Sequence, residues 1–250
     1  MVCIVDVQEK PELNNPVLIE GLPGIGFVAN IATLHLIREL KAKRFVSIFS
    51  SAFQDLAVTT ETGGTRAPTS ELYYHKSQTG GRDLILWYGN TQALTTFGQY
   101  ELCEKVLEIV KELGCRYAIT LGGFRQEEVP ATPQIYACGS DKETVTEALN
   151  LGVKIMVGQV YGIAGLLIGI CGLREVKGLS LLVETLGTQP DTNAARQALL
   201  MLGKLLNMQV DLSRLEESTV ETKKILESFG LITTAVEEKK KEEQQFRWSI

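Results

Sequence analysis

Only two histidines, His35 and His75, occur in 250 residues, and no C-x-x-C pair, G-x-x-x-x-G-K-[ST] loop or G-x-S-x-G elbow occurs at all. These absences remove the commonest zinc, thiol-exchange, P-loop ATPase and serine-hydrolase designs. Each histidine reads as structural or solvent-facing, no metal centre is expected, and no cofactor is expected. Basic residues are also short, 25 Lys and Arg against 30 Asp and Glu for a net charge of −5. A general nucleic-acid binder would show a basic excess or stripe, so nucleic acid is not an expected partner. The five cysteines (Cys3, Cys103, Cys115, Cys138, Cys171) are odd in number and far apart. They read as small buried hydrophobes in a reducing compartment. Asp6, Glu9 and Lys10 interrupt the first ten residues, which therefore lack the apolar core of a signal peptide, and the expected location is cytoplasmic.

What is present describes a folded chain. Hydrophobic residues make up 44% of it, and at this size about 70% of the unfolded surface is buried on folding. One large domain, residues 1–232, is expected, followed by a charged tail with an apolar end, residues 233–250. The longest uncharged stretch, Ile155 to Leu173, has 19 residues between Lys154 and Arg174. Five glycines and Gln159 interrupt it, so it reads as a buried strand over Lys154 to Val157, a glycine turn at Gly162 and a short buried helix, with no membrane span.

Strand and helix signals alternate. Val17 to Glu20 is an apolar run ending in Gly21-Leu-Pro-Gly, and Phe27, Ile31, Leu34 and Leu40 then fall broadly on one helical face. Phe45 to Phe49, Leu84 to Tyr88, Tyr117 to Leu121, Ile135 to Cys138 and Leu179 to Leu186 read as further strands. Leu102 to Leu113 reads as a helix stopped at Gly114, and Asp191 is placed to cap another. The stretch from Phe53 to Arg82, with Gly63-Gly64 and Gly80-Gly81, suits hairpin strands or an exposed loop rather than a crossover helix. Apolar strands alternating with helices predict a three-layer α/β/α sandwich with a mostly parallel central sheet. A charged amphipathic helix is expected at about residues 212–229. Leu212, Leu215, Thr219, Thr222, Leu226 and Phe229 form a seam whose two threonines favour packing on its own domain over another subunit.

The sharpest nucleotide-like signal is Gly24-Ile-Gly26-Phe-Val-Ala29, which fits G-x-G-x-x-A between a strand and a helix. A dinucleotide site also needs an acid at the end of the second strand, where this chain has Ser50-Ser51, and a tight turn with close helix packing explains the glycines better. Gly122-Gly123 lies at another strand end, and Glu184, Asp191, Glu20, Glu127 and Glu128 are acids near strand ends, where parallel sheets build their sites. Gly24, Gly26, Gly122, Gly123 and Glu184 therefore outline a candidate cleft. The enzymatic alternative is a small-molecule hydrolase or phosphorylase using it.

Gly21-Leu-Pro23-Gly24-Ile-Gly26, Thr120-Leu-Gly122-Gly123, Val160-Tyr-Gly162-Ile-Ala-Gly165-Leu-Leu and Gly187-Thr-Gln-Pro190-Asp191 before Ala194-Ala195, in this order and spacing, resemble the proteasome assembly chaperone family in its archaeal form. The resemblance spans residues 1–232 and implies a nucleoside phosphorylase-like sandwich, no enzymatic activity, and a homo-oligomer, tetramer or pentamer. It also implies binding of proteasome α-type subunits during ring assembly. Archaeal relatives that dock on the α ring end in a hydrophobic residue, an aromatic and any residue. Here Trp248, Ser249 and Ile250 keep the hydrophobic position and lose the aromatic one. That departure argues against activating-type insertion and leaves weak docking, or work through a second chaperone paralogue. Phe246, Trp248, Ser249 and Ile250 are the expected partner-binding residues, carried on 14 residues from Glu237 that extend to roughly 46 Å.

Overall fold

The computed structural model describes residues 2–232. Nine strands form the main sheet: β1 (Cys3–Val7), β2 (Val17–Gly21), β3 (Lys43–Ser50), then, after the small hairpin of β4 (Val58–Thr59) and β5 (Thr65–Arg66), β6 (Ser70–His75), β7 (Leu84–Gly89), β8 (Tyr117–Arg125), β9 (Ile135–Gly139), β10 (Lys154–Ile155) and β11 (Lys177–Thr185). Their spatial order is β1-β3-β6-β7-β2-β8-β11-β9-β10. The four central strands, β7, β2, β8 and β11, run parallel. Antiparallel pairs flank them through β6 on one side and β9 on the other. The sandwich expected from the sequence is present, with its parallel character concentrated at the centre of a mixed sheet.

Among the described residues there are six α-helices: α1 (Val28–Glu39), α2 (Thr96–Glu112), α3 (Lys142–Leu149), α4 (Ile163–Leu173), α5 (Thr192–Leu206) and α6 (Leu215–Ser228). Strand alternation decides which face each side chain joins. Val17, Ile19, Leu84, Leu86, Ile119 and Leu181 pack with α1 and α5 in one core, while Leu18, Ile85, Trp87 and Ala118 pack with α2 and α4 in the other. Strands buried on both faces explain why their sequences are almost unbroken apolar runs.

One expectation needs correction. The strand expected over Lys154 to Val157 shrinks to the two exposed residues of β10 at the sheet edge, and Val157 is 84% exposed. The apolarity of Ile155 to Leu173 is thus divided between an exposed edge with its loop and the buried face of α4, where Ile163, Leu167 and Cys171 are buried. β1, unread in the sequence, forms the other edge, with Ile4 and Val7 more than half exposed. Among the described residues no helix is long and apolar enough to cross a membrane.

The C-terminal seam lies on its own chain. Leu215, Thr222, Leu226 and Phe229 are buried where α6 meets α1 and α5. His35 is fully buried in that contact, 3.2 Å from Ser218 Oγ through Nδ1 and 2.7 Å from the Asp211 carbonyl through Nε2. Its role is structural. His75 likewise meets the Leu40 carbonyl at 2.9 Å through Nδ1.

Candidate functional site

The glycine turn after β2 is held from three directions. Asn30 of α1, with no exposed surface, donates from Nδ2 to the carbonyls of Gly21 and Gly89 at 3.0 and 2.9 Å, joining the ends of β2 and β7. Gly26 has φ +61°, and a Cβ there would meet Thr185 Oγ1 at 2.7 Å. The Gly26 carbonyl accepts from the Asp191 amide at 2.9 Å. Asp191 in turn caps α5, accepting from the Ala194 amide at 2.9 Å and from Thr185 Oγ1 at 2.6 Å. The second glycine of the G-x-G-x-x-A pattern therefore serves close packing. The sheet order also separates this turn from a dinucleotide fold, because β3, the strand after α1, lies three places from β2 instead of beside it.

A cavity of about 260 Å³ opens at the carboxyl ends of β2 and β8, beside the start of α4. Of the five residues expected to form a cleft, Gly24, Gly122 and Gly123 line it, and Gly26 and Glu184 do not. Gly123 has no room to spare, since a Cβ there would lie 2.3 Å from the Ile25 carbonyl oxygen. Glu184 is buried beside the cavity and fully engaged elsewhere: its carboxylate accepts from the Gln134 amide at 2.9 Å and from the Tyr136 hydroxyl at 3.1 Å. The Tyr136 ring packs edge-on against Phe124, a wall residue, with centroids 5.1 Å apart. Glu184 thus braces the wall from behind.

The acidic residue that does line the cavity is Glu20, one residue from the end of β2 and only 2% exposed. Its register neighbours are Trp87 on β7 and Thr120 on β8. Oε1 accepts from the Leu22 amide at 2.8 Å, and Oε2 is buried with no partner among the described residues. Burial pushes the Glu20 carboxyl up to about 8, against the weaker opposing pull of the Leu22 amide. At neutral pH it is therefore held as the neutral acid. The sequence contained a signal for it: an acid inside a strand buried on both faces must find a partner or lose its charge. Gln92, in the loop after β7, and Arg125, the last residue of β8, are also in the wall and carried no such signal, because only long-range pairing brings them to Glu20.

A profile of the PAC2 family matches residues 18–229. The chain belongs to the PAC2 family. An uncharacterized protein of Methanocaldococcus jannaschii is 32% identical over 213 residues, which cover 84% of this chain and 81% of that protein. Among solved structures, Pyrococcus furiosus PbaB, described as an archaeal proteasome activator, matches with a TM-score of 0.81 and 35% identity over 91% of this chain and 98% of its own. Pyrococcus furiosus PbaA, described as an archaeal homolog of proteasome-assembly chaperone, matches with a TM-score of 0.73 and 25% identity over 88% of this chain and 92% of its own. The likeness seen in the glycine turns thus extends through the whole PAC2 fold. Phe246, Trp248, Ser249 and Ile250 lie outside the described residues.

Proposed function

We propose that this PAC2 family protein is a non-enzymatic assembly chaperone of the cytoplasm that works as a homo-oligomer and binds proteasome α-type subunits, aiding formation of the 20S ring. The observation carrying this reading is the match to PbaB and PbaA along nearly their full lengths. Glu184, Asp191, His35 and His75 support it, because each holds a structural hydrogen bond. In this reading a rigid body presents several tails, and each offers Phe246, Trp248, Ile250 and the terminal carboxylate to a pocket on the α subunits. Several weak contacts then add avidity.

Native mass spectrometry of the full chain and of a chain ending at Ala235, each mixed with α-type subunits, tests this. The expected outcome is an unchanged oligomer, of four or five copies, whose capture of α subunits weakens at least about tenfold on truncation. Unchanged affinity would overturn the role of the tail, and an oligomer that ignores α subunits would overturn the whole reading.

A second reading, activation of the assembled proteasome, is favoured by the description of PbaB. Ser249 in the penultimate place opposes it. Peptide hydrolysis by the 20S particle separates the two: the natural chain is expected to leave the rate unchanged, and Ser249→Tyr to raise it. Stimulation by the natural chain would favour the activator. A second paralogue, if required, would show as α-subunit capture only when both chaperones are present.

A further inference from the structure

The cavity at the ends of β2 and β8 contains an unfinished hydrogen-bonding arrangement. Glu20 has one carboxyl oxygen bonded to the Leu22 amide and the other, Oε2, buried and unpartnered. As a neutral acid, this group carries a buried O–H donor with no acceptor, and such groups are costly in a folded interior. An oxygen acceptor bound in the cavity would complete it once the Glu20 carboxyl turns toward it.

The rest of the wall points to what that acceptor belongs to. α4, 11 residues long, begins in the wall at Ile163 and Ala164, and its N-cap, Gly162, makes no capping side-chain hydrogen bond. The first-turn amides carry the positive end of the helix dipole. Arg125 is the cation of the wall. An O–H donor, an uncapped helix start and a guanidinium all favour negative charge, whereas the surrounding Leu22, Met156 and Val160 favour an apolar body. A cavity of about 260 Å³ is near the lower limit for ligand sites, which run from about 300 Å³ upward.

We infer that this cavity is a binding site for a small carboxylate with an apolar body, its oxygen accepting the Glu20 Oε2 proton and its charge lying between the start of α4 and Arg125. The site is separate from the proteasome reading and stands or falls without it. No covalent step is involved: a proton is shared between two carboxyl groups, as in other acid–carboxylate pairs.

The inference predicts a pH profile with a single owner. Besides Glu20, the titratable groups around the site are Cys103 on α2, Arg125 on β8, Tyr161 before α4 and, behind the wall, Glu184 with its partner Tyr136, while α4 itself carries no charged side chain. Burial pushes the Cys103 thiol far above the neutral range. Because Glu20 is pushed up to about 8, carboxylate affinity should be flat below that pH and fall about tenfold per pH unit above it, as the protonated, binding-competent fraction falls.

The probes are benzoate, its neutral isostere benzamide, and a peptide of residues 241–250 with a free or amidated end, titrated calorimetrically into the full chain. Benzoate is expected to bind at least about tenfold tighter than benzamide at pH 6.5. Glu20→Gln retains an N–H donor and cannot titrate, so it should bind benzoate within about threefold of the natural chain, with no fall between pH 7 and about 9.5. Glu20→Leu should lose binding. If that variant fails to fold, the flat profile of Glu20→Gln decides. Tighter binding of the free-ended peptide than of benzoate would identify the source of the carboxylate as a polypeptide C-terminus, and the reverse a free acid. Equal binding of benzoate and benzamide, binding of neither at about 20 mM, or a pH fall that persists in Glu20→Gln would overturn the inference.

Discussion

Glu20 and Glu184 stand at equivalent places in the two halves of the parallel sheet, each one residue from the end of a central strand and each almost fully buried. Their surroundings differ in one respect. β11 has an antiparallel neighbour, β9, which brings the Gln134 amide and the Tyr136 hydroxyl to Glu184. β2 lies between parallel strands and receives hydrophobic Trp87 on one side and Thr120 on the other, and the Thr120 hydroxyl already donates to the Ala164 carbonyl at 2.9 Å. Burial is thus common to both acids, and the supply of donors separates them. One is a structural brace. The other is held protonated, with one oxygen left without a partner.

The largest test of that difference is the pH dependence of stability. The folded Glu20 carboxyl is pushed up from 4.5 to about 8, so the folded state holds a proton that the unfolded chain releases. Below pH 4.5 both states are protonated and burial carries no ionisation cost. Between 4.5 and 8 stability falls with rising pH, by about 1.4 kcal/mol per unit, and above 8 the loss levels off near about 5 kcal/mol. Chemical denaturation of Glu20→Gln should therefore show a stability that gains on the natural chain across this window. A constant difference between the two would mean that Glu20 is already ionised in the fold.

Next in size is Asn30→Leu, which strips both hydrogen bonds from the Gly21 and Gly89 carbonyls and should cost about 2–4 kcal/mol by the same measurement. Glu184→Leu, which leaves the Gln134 amide and Tyr136 hydroxyl unpaired in a half-buried site, should cost about 1–3 kcal/mol. Unlike Glu20→Gln, it should destabilise at every pH from 6 to about 8.5, and a stabilising Glu184 variant would erase the distinction between the acids. The smallest effect belongs far from both. Arg38 of α1 pairs with Glu217 and Glu221 of α6 across a half-exposed surface, and Arg38→Met should cost less than about 1 kcal/mol and lose that effect in high salt.

Much of this was readable in the chain. The central strands announced themselves as apolar runs, and Asp191 as a cap, because burial on both faces and capping geometry leave local marks. Lys154 to Val157 carried the same apolar mark and became exposed edge and loop, since composition does not record whether a helix covers the strand. The antiparallel insertion of β9 beside β11 left no trace either, as register is set by long-range pairing. The cleft residues divided accordingly. Glycines at strand ends were found and most line the cavity, but choosing between Glu184 and Glu20 required knowing which acid has donors from a neighbouring strand.

The attachment of α6 has a mechanical consequence. Leu215 anchors its start, and Leu226 and Phe229 anchor its end, with His35, Arg38 and the Thr192–Thr219 hydroxyl contact between them. Any pull applied to the chain beyond Ile232 enters the body at Phe229 and loads these contacts in turn from that end, so tension is met by one helix turn at a time. Resistance to such a pull should depend on Leu226 and Phe229 far more than on Leu215.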